Sequence, residues 1–332
     1  MIDREDAMLI ASRAPEAAIL ERGLRRHLST PTRMLVAVSG GVDSTALLLL
    51  AAAVVRRRGV THELVVGHVD HGLRAEGPQE AKAVESIANR LGLPFRSRRL
   101  EIAGACSAAV LRTHRWDALE AMATSDDASV VLTGHHALDQ AETLVLRLAR
   151  GTGLAGLSGI PESRRTPGGL LVLRPLLEAT RTGLERLVQA VDISPVEDPT
   201  NARCDLARGL VRHEIMPRLE RLHPGAARRM AATAREIAGI DLGAHPEMSG
   251  GWARTACRLM GESDTATQMR AAVRARVGPE ADGVARTVWH SVARAVVDEQ
   301  VQPRTIDVLP GCRVEIDADT VRLAFEITES TT

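Results

Sequence analysis

Short apolar segments alternate with helical segments through the first half of the chain, and this alternation limits the fold more than any other feature. The apolar segments are too short for helices, and the stretches between them carry apolar residues at helical spacing. Strands are predicted at 34–38, 64–69, 95–102, 129–133 and 170–173. Strands that alternate with helices of this length form a parallel sheet covered on both faces. The sequence therefore predicts an α/β domain built on a five-stranded parallel sheet.

Helical segments account for most of the remaining chain. Helices are predicted at 5–28, 43–58, 79–91, 108–124 and 138–150, and then at 181–191, 207–222 and 225–239. Residues 241–251 are rich in Gly and Pro, which is typical of a linker. Two or three strands are predicted between Thr305 and Phe325. We therefore expect a main domain over 1–240 with a helical extension from about 181, the linker 241–251, and a small α+β domain over 252–332.

The composition is that of an ordinary globular protein and excludes several classes of function. Apolar residues make up 45% of the 332 residues and charged residues 25%, and the formal net charge is zero. A nucleic-acid partner would therefore have to meet a local basic face. The longest apolar run, Thr45–Val55, is too short to cross a bilayer. The start of the chain is charged and lacks the pattern of a signal peptide.

Cysteine usage favours a reducing compartment. The four cysteines contain no Cys-x-x-Cys pair and are far apart: Cys106, Cys204, Cys257 and Cys312. This spacing argues against a disulfide framework, a zinc site or an iron–sulfur cluster, so we expect a cytoplasmic protein. Aromatic residues are only 2% of the chain, with no tyrosine, which makes stacking on aromatic side chains a poor general mode of RNA binding.

A glycine-rich loop, Ser39-Gly40-Gly41-Val42-Asp43-Ser44, lies between the first strand and a helix. Two glycines let the backbone N–H groups approach a phosphate, and the helix offers its positive N-terminus. Asp43 suits either a Mg²⁺ ligand or a residue that orients the loop. The alternative is a tight turn with a helix cap. The chain contains no Gly-Lys-Ser/Thr and only one lysine, Lys82, so a Walker-type loop is excluded.

Polar residues also follow two other predicted strands. His68, His71 and Arg74 come after the second strand, and Gly134–Thr143 comes after the fourth. The carboxyl ends of parallel strands meet at one edge of a sheet, so we expect one shared site with the glycine-rich loop. His68 and His71 suit a nucleotide or base pocket, with a zinc site as the alternative.

Two acidic residues within Gly134–Thr143 share one helix face. Asp139 and Glu142 are three residues apart, and His135 precedes them by about one turn. A carboxylate pair beside an imidazole can bind Mg²⁺, position an ammonium group or take its proton. The alternative is a capped helix with solvated carboxylates and a hydrogen-bonded histidine.

Arginines supply the candidate contacts to anions. Arg112 and Arg115 lie three apart on one predicted helix and suit a phosphate or an RNA loop, with ordinary surface ion pairs as the alternative. A local basic face is predicted from four further residues, with scattered surface charge as the alternative: Arg147, Arg150, Arg174 and Arg181. Arg208 and Arg212 follow the polar string Glu197-Asp198-Pro199-Thr200-Asn201.

The glycine-rich loop resembles that of the PP-loop ATP pyrophosphatases, which have a Rossmann-like fold. The strings at 68–74, 112–116, 134–157 and 197–201, with Arg208 and Arg212, resemble the tRNA(Ile)-lysidine synthetase family over about residues 34–220. The resemblance implies that the loop holds the phosphates of ATP with Mg²⁺. It also implies a ligase that adenylates C2 of cytidine 34 in the CAU anticodon of tRNA(Ile). The side-chain amine of L-lysine then displaces AMP to form lysidine.

The residues and the resemblance together assign roles. Catalysis is expected from five residues: Asp43, Arg115, His135, Asp139 and Glu142. Contacts to the tRNA are expected from His68, His71, Arg74, Arg112, Arg150, Arg208 and Arg212. Mg²⁺ is expected at Asp43 and Asp139, and the 252–332 domain is expected to contact the tRNA. The sequence leaves open whether the chain forms a homodimer.

Two positions depart from the family pattern. Leu138 stands where the family has the first of two adjacent Asp residues, and Gly209 stands where it tends to have Asn. Leu138 belongs to an apolar stripe with Ala141, Val145 and Leu148, so we expect it to face the core.

Three other functions are also compatible with parts of the sequence. A PP-loop tRNA thiolase would be expected to carry paired cysteines, and an amidating synthetase would need a source of ammonia. A non-catalytic protein that binds RNA or a nucleotide is the alternative from another class, and Leu138 is its only support.

Overall fold

The computed structural model describes residues 3–57, 62–72, 76–101, 108–152, 154–166, 168–196, 207–239, 252–260, 262–277, 283–298 and 302–325. The chain forms two compact units. The first contains Met1–Leu146 and Gly159–Arg235, and the second contains Arg147–Ser158 and Glu236–Thr332. The sequence placed the end of the first domain at about 240 and did not anticipate that Arg147–Ser158 belongs to the second unit.

A six-stranded sheet forms the centre of the first unit. Its strands are β1 (Arg33–Ala37), β2 (Glu63–Asp70), β3 (Phe95–Arg99), β4 (Val130–Leu132), β5 (Ser163–Arg165) and β6 (Leu171–Leu173). The strand order is β3-β2-β1-β4-β6-β5, and every neighbouring pair is parallel except β5 with β6. The predicted parallel sheet is confirmed. The antiparallel edge strand β5 was missed because Ser-Arg-Arg carries no apolar pattern.

The helices, in chain order, are α1 (Arg4–Arg13), α2 (Pro15–His27), α3 (Val42–Arg57), α4 (Gly77–Leu91), α5 (Ala108–Ser125), α6 (Ala137–Ala149), α7 (Leu154–Leu157), α8 (Arg181–Ala190), α9 (Ala207–Leu210), α10 (Met216–Leu222), α11 (Ala226–Gly239), α12 (Arg254–Met260), α13 (Glu262–Val277) and α14 (Arg286–Val297). A π-helical segment, Val211–Ile215, joins α9 to α10. Within the described ranges, no helix has both the length and the apolar character that a membrane span requires.

The single helix predicted over 5–28 is two helices. Ala14 between α1 and α2 has the extended angles φ −64° and ψ 139°, and Pro15 is the first residue of α2. Proline has no N–H to continue a helix, and its ring pushes the preceding residue out of the helical region. Apolar periodicity runs through this break because both helices bury their apolar faces in the same core.

The sheet separates two layers of the first unit. Alternate residues of β1 point to opposite faces. Met34 and Val36 join the core cluster that contains α3, and Leu35 and Ala37 join the cluster that contains Leu119 of α5. Both helices run back along the parallel strands, so both begin at the carboxyl edge of the sheet, on opposite faces. This arrangement places the candidate functional residues along that edge.

The second unit has its own core and a four-stranded antiparallel sheet. Its strands are β7 (Trp252–Ala253), β8 (Arg304–Leu309), β9 (Cys312–Ile316) and β10 (Thr320–Phe325), in the order β7-β10-β9-β8. Trp289 and Val292 of α14 pack with Val314 in this core. The small α+β fold predicted for the C-terminal region is confirmed, with β7 as an addition.

Candidate active site

Side-chain and backbone hydrogen bonds fix the shape of the glycine-rich loop. The Ser39 N–H donates to Ser44 Oγ over 3.1 Å, and Ser44 Oγ donates to the Gly41 carbonyl over 3.0 Å. Gly40 has φ +91°, and a Cβ at this position would lie 3.1 Å from the Val196 side chain. Glycine is therefore required at position 40, both for its backbone angle and for its close neighbour. The loop ends at the first turn of α3, where unpaired N–H groups face outward.

The loop that follows β4 packs directly on the glycine-rich loop Ser39–Ser44, which we call the phosphate loop. A Cβ on Gly134 would lie 2.9 Å from the carbonyl oxygen of Asp43 and 3.2 Å from the Ser44 nitrogen. Strands β1 and β4 are neighbours in the sheet, so the residues after each strand meet at its carboxyl edge. The two motifs that the sequence assigned to one shared site are therefore in contact.

His136, and not His135, connects the two motifs. Its side chain is fully buried, and its Nε2 atom lies 3.3 Å from Asp43 Oδ1 and 3.6 Å from Asp139 Oδ2. Its Nδ1 atom accepts a hydrogen bond from the Leu138 N–H over 3.2 Å, which leaves Nε2 to face the carboxylates. Burial alone would lower the pKa of His136, but the contact with Asp43 and the charge of Asp139 raise it. The sequence offered two adjacent histidines and no feature that distinguished them.

His135 sits beside this network as an uncharged group. Its Nδ1 atom lies 3.0 Å from the Thr133 hydroxyl. Burial lowers the pKa of His135 to about 4; the charge of Asp139 opposes this shift, and the charges of Arg174 and Arg115 add to it. The imidazole is therefore neutral at neutral pH.

Two arginines hold the predicted carboxylate pair. Arg208 donates from Nη2 to Asp139 Oδ1 over 2.8 Å and from Nε to Glu142 Oε2 over 2.7 Å. Arg212 donates from Nε to Glu142 Oε1 over 2.5 Å and from Nη2 to Glu142 Oε2 over 3.2 Å. Glu142 is completely buried, and these contacts satisfy both of its oxygens. Arg208 and Arg212 were predicted to contact the tRNA, whereas the structure places both on the carboxylates.

The local charges keep these groups ionised. Burial would raise the pKa of Asp139, but the charge of His136, the hydrogen bond from its N–H and the charge of Arg208 lower it. Burial would lower the pKa of Arg212, but its hydrogen bond to Glu142 and the charges of Glu142 and Asp139 raise it. The site is therefore a buried network of opposite charges behind the phosphate loop.

Of the two residues predicted to bind Mg²⁺, only Asp43 fits a metal ligand. Asp139 Oδ1 accepts from Arg208, and its Oδ2 accepts from the His136 N–H over 2.9 Å, so its lone pairs already have partners. The Asp43 side chain is 34% exposed at the phosphate loop and carries a hard oxygen donor. Among the described residues, no three His, Cys, Asp or Glu side chains lie together as a metal site.

The residues predicted after β2 have mixed outcomes. His68 is buried, and its Nδ1 atom lies 2.9 Å from the Val38 carbonyl at the entrance to the phosphate loop. The carbonyl can only accept, so Nδ1 carries the proton. The zinc site considered as an alternative has no further support, since no three His, Cys, Asp or Glu side chains lie together as a metal site among the described residues. His71 is half-buried just after β2, and Arg74 lies outside the described residues. Glu197–Asn201 also lies outside them.

The two arginines of the predicted basic face that lie in the first unit contact other groups of the protein. Arg174 is buried and donates to the Pro161 carbonyl over 2.7 Å, and Arg181 pairs with Glu185 on α8. Arg147 and the exposed Arg150 belong to the second unit. Sequence position cannot tell a buried guanidinium from a surface one, because both occur between apolar residues.

A different set of arginines does come together. The charge of Arg112 on α5 helps to lower the pKa values of Arg115 on the same helix, Arg164 of β5 and Arg174 after β6, and the charge of Arg164 acts on Arg174 in the same direction. Arg164 lies over the Trp116 ring, 4.2 Å from its centroid. Arg164 was not a candidate because the strand that carries it has no sequence pattern.

Leu138 faces the core as its position in the apolar stripe predicted. It packs, with Val145, against a cluster formed by Ala141, Val211 and Met216. The stripe ends there: Leu148 is 55% exposed. The departure from the usual acidic residue at 138 therefore adds an apolar contact and leaves the Asp139–Glu142 pair in place.

Comparisons with known proteins agree with this geometry. A family model described as a PP-loop domain matches residues 16–219. A tRNA(Ile)-lysidine synthase from Salinispora tropica is 40% identical over 247 residues, which cover 72% of this chain and 73% of the relative. A tRNA(Ile)-lysidine synthase from Synechococcus is 36% identical over 68% of this chain and 69% of the relative.

A solved structure supports the fold independently. The U34-tRNA thiolase NcsA from Methanococcus maripaludis superimposes with a TM-score of 0.57 at 16% identity, over 68% of this chain and 79% of the thiolase. At this identity the similarity concerns the fold alone. The family model and the curated relatives together show that the chain belongs to the tRNA(Ile)-lysidine synthase family of PP-loop enzymes.

Proposed function

We propose that this chain attaches lysine to C2 of cytidine 34 in the CAU anticodon of tRNA(Ile), using ATP and releasing AMP and pyrophosphate. The observation that supports this most is the direct contact between the phosphate loop and the helix that carries Asp139 and Glu142. The phosphate loop and the Asp139–Glu142 region are in contact, so both can act on the same bound substrate.

The first step is adenylation of the base. Loop N–H groups, the N-terminus of α3 and the hydroxyls of Ser39 and Ser44 hold the β- and γ-phosphates of ATP. The C2 oxygen of cytidine attacks the α-phosphorus, the bond to the bridging oxygen breaks, and pyrophosphate leaves. Asp43 would hold Mg²⁺, which neutralises phosphate charge when bound. His136 fixes the direction of the Asp43 carboxylate from behind.

The second step is attack by the lysine side-chain amine on C2. The amine attacks in its uncharged form, after its ammonium proton has passed to solvent. The C2–N bond forms, the C2–O bond breaks, AMP leaves with the oxygen, and the nitrogen loses a second proton. Asp139 and Glu142 are held by Arg208 and Arg212, so they act by positioning, and the charge of Asp139 acts on His135. His135 is neutral and lies beside Asp139, so it can accept the proton as the bond forms.

Mass analysis of tRNA(Ile) after incubation with ATP and labelled lysine tests the proposal. We expect one lysine per tRNA, with AMP and pyrophosphate formed only when the tRNA is present. The Asp43→Ala variant should lose turnover while keeping its RNA affinity. Asp6→Ala, which alters an exposed carboxylate of α1, is the matched control. No mass increase with wild-type protein, under conditions where it binds ATP, would refute the proposal.

The same experiment separates the alternatives. A thiolase would add sulfur without lysine, and an amidating enzyme would respond to ammonia instead. Of the described cysteines, Cys257 and Cys312 are buried, and burial raises the pKa of Cys257 to about 11, which is unsuited to sulfur transfer. A non-catalytic binder would retain tRNA and release no pyrophosphate.

The second compact unit is proposed to contact the tRNA outside the anticodon. Its described residues form an antiparallel sheet with α14 packed in the same core, and this core is separate from those of the PP-loop unit. Removing residues from 252 onward should weaken binding of full-length tRNA more than binding of an isolated anticodon stem-loop. Equal weakening of both would contradict this assignment.

A further inference from the structure

Four arginines form a cluster that the chemistry described above does not use fully. Arg112 and Arg115 project from the first turns of α5, Arg164 comes from β5, and Arg174 directly follows β6. We call these four residues the arginine cluster. Charge repulsion acts between its members: Arg112 acts on Arg115, Arg164 and Arg174, and Arg164 acts on Arg174.

The cluster lacks acidic partners among the residues that the structure describes. None of the four guanidinium groups forms an ion pair within 4.0 Å. The negative charge of Glu120 acts on the pKa of Arg164, but the Glu120 carboxylate already accepts a hydrogen bond from the Thr166 hydroxyl over 2.6 Å. Cations held together without a counter-charge lower stability, so such an arrangement persists where an anion completes it.

The burial of Arg174 also indicates that an anion completes the cluster. It is 3% exposed, and burial together with the charges of Arg164 and Arg112 lowers its pKa to about 10. Its Nη1 donates to the Pro161 carbonyl, but its Nε–H has no partner. A buried guanidinium with an unused donor is costly unless a ligand accepts from it.

Arg164 is held in place by an aromatic ring. Its guanidinium carbon lies over the Trp116 ring, 4.2 Å from the ring centroid, and Trp116 packs on the core beneath α5. This cation–π contact holds the guanidinium in place without using its N–H donors, which can bind oxygen atoms.

The cluster lies on the opposite face of the sheet from the phosphate loop. The loop leads into α3, which packs with Met34 and Val36, whereas α5 packs with Leu35 on the other face. Both the phosphate loop and the arginine cluster reach the carboxyl edge of the sheet, where the charges of Arg174 and Arg115 help to lower the pKa of His135. The arginine cluster is therefore separate from the glycine-rich loop, although both border the same edge of the sheet.

We propose that the arginine cluster binds a backbone phosphodiester of the RNA strand beside the nucleotide that is modified, with Arg164 on Trp116 as its rigid part. The inference rests on the proposed function, since it assumes an RNA substrate. A planar guanidinium matches two phosphate oxygens, and four arginines from three elements fix the position of the strand relative to His135.

Equilibrium binding of an anticodon stem-loop RNA, without ATP or lysine, tests the inference. Arg164→Gln should weaken binding about tenfold and reduce the slope of log K against log salt by about 0.7, the value for one lost contact on a single strand. Arg165→Gln is the matched control. It removes the same charge from the next residue of β5, whose exposed side chain donates to the Gly169 carbonyl instead. Arg164→Lys keeps the charge but not the planar group over Trp116, and it should recover the slope without the full affinity.

The outcomes separate this inference from the proposed function. Equal affinity and slope for Arg164→Gln and Arg165→Gln would overturn it, even if wild-type protein forms lysidine. A raised KM for ATP or weaker inhibition by pyrophosphate in Arg164→Gln, with RNA binding unchanged, would also overturn it by assigning the cluster to the ATP phosphates. A thermal melt of Arg164→Gln that matches wild type shows that the half-buried side chain can be replaced without unfolding.

Discussion

His136 Nε2 lies 3.3 Å from Asp43 Oδ1, so a buried imidazole ties the phosphate loop to the helix of the carboxylate pair. If this contact positions Asp43, then His136→Gln and Asp43→Asn should each lower kcat about 100-fold. The double variant should be little worse than Asp43→Asn alone, because His136 acts through Asp43. Single-turnover assays on the three variants measure this. Losses that multiply in the double variant would show that the residues act independently.

His135 should make the protein sensitive to acid. Its folded pKa of about 4 lies below its unfolded value of 6.5, so below pH 6.5 the unfolded chain binds more protons than the folded chain. Stability therefore falls as the pH drops from 6.5 towards 4, by at most about 3 kcal/mol from this residue. Denaturant unfolding of wild type and His135→Gln across this range measures the difference. A parallel decline in both proteins would contradict the assignment.

Replacing Arg212 should lower the free energy of unfolding more than replacing Arg208, because Arg212 is the more buried partner of the carboxylates. The Arg212 side chain is 19% exposed and that of Arg208 is 49% exposed, while Glu142 is completely buried. Arg212→Met leaves a buried carboxylate short of a partner and should lower the free energy of unfolding by about 3 kcal/mol. Arg208→Met should lower it by about 1 kcal/mol. Urea denaturation gives both values, and the reverse order would show that the network is not organised around Glu142.

Gly134 should tolerate no side chain. A Cβ there would lie 2.9 Å from the Asp43 carbonyl oxygen and 3.2 Å from the Ser44 nitrogen. Both are backbone atoms, which cannot rotate away. Gly134→Ala should therefore displace the phosphate loop and weaken ATP binding about tenfold or more, a loss of about 1.4 kcal/mol. Gly239→Ala is the matched control, because a Cβ at Gly239 would meet nothing within 4 Å. Calorimetric titration with ATP compares the two variants.

Arg254 should stabilise the second unit specifically. It is 1% exposed and donates to the carbonyls of Val296 and Asp298 at the end of α14, and to that of Asp317. Arg254→Met removes these hydrogen bonds from a buried site and should destabilise the unit by about 3 kcal/mol. Arg258→Met removes one such bond, to Asp298, and should cost less. Hydrogen exchange of α14 should rise in Arg254→Met while that of α3 stays unchanged.

The helices and strands were largely predictable because each buries one face, and burial leaves a periodic pattern in the sequence. The parallel sheet and the glycine-rich loop after β1 follow from that pattern. The sequence missed β5, whose residues are Ser-Arg-Arg, and the break at Ala14, because neither changes the apolar period. Edge strands and helix breaks depend on hydrogen bonds and steric contacts that periodicity does not record.

The candidate site was predicted in part. The phosphate loop, Asp139 and Glu142 were identified because their residue types at those spacings suit phosphate and ammonium groups. The sequence did not show which side chains would meet: His136 lies between Asp43 and Asp139, and Arg208 and Arg212 hold the carboxylates. Which neighbour a side chain meets depends on residues some 70 positions away in the chain.

The sequence by itself determined the α/β order of elements, the phosphate loop and membership of the family, because these depend on local patterns of residue type. Only the tertiary structure decided which charges lie together: the buried His136 between Asp43 and Asp139, and Arg164 on Trp116. The reason is that electrostatic energies depend on distance and burial, and both arise when segments far apart in the chain pack at one edge of the sheet.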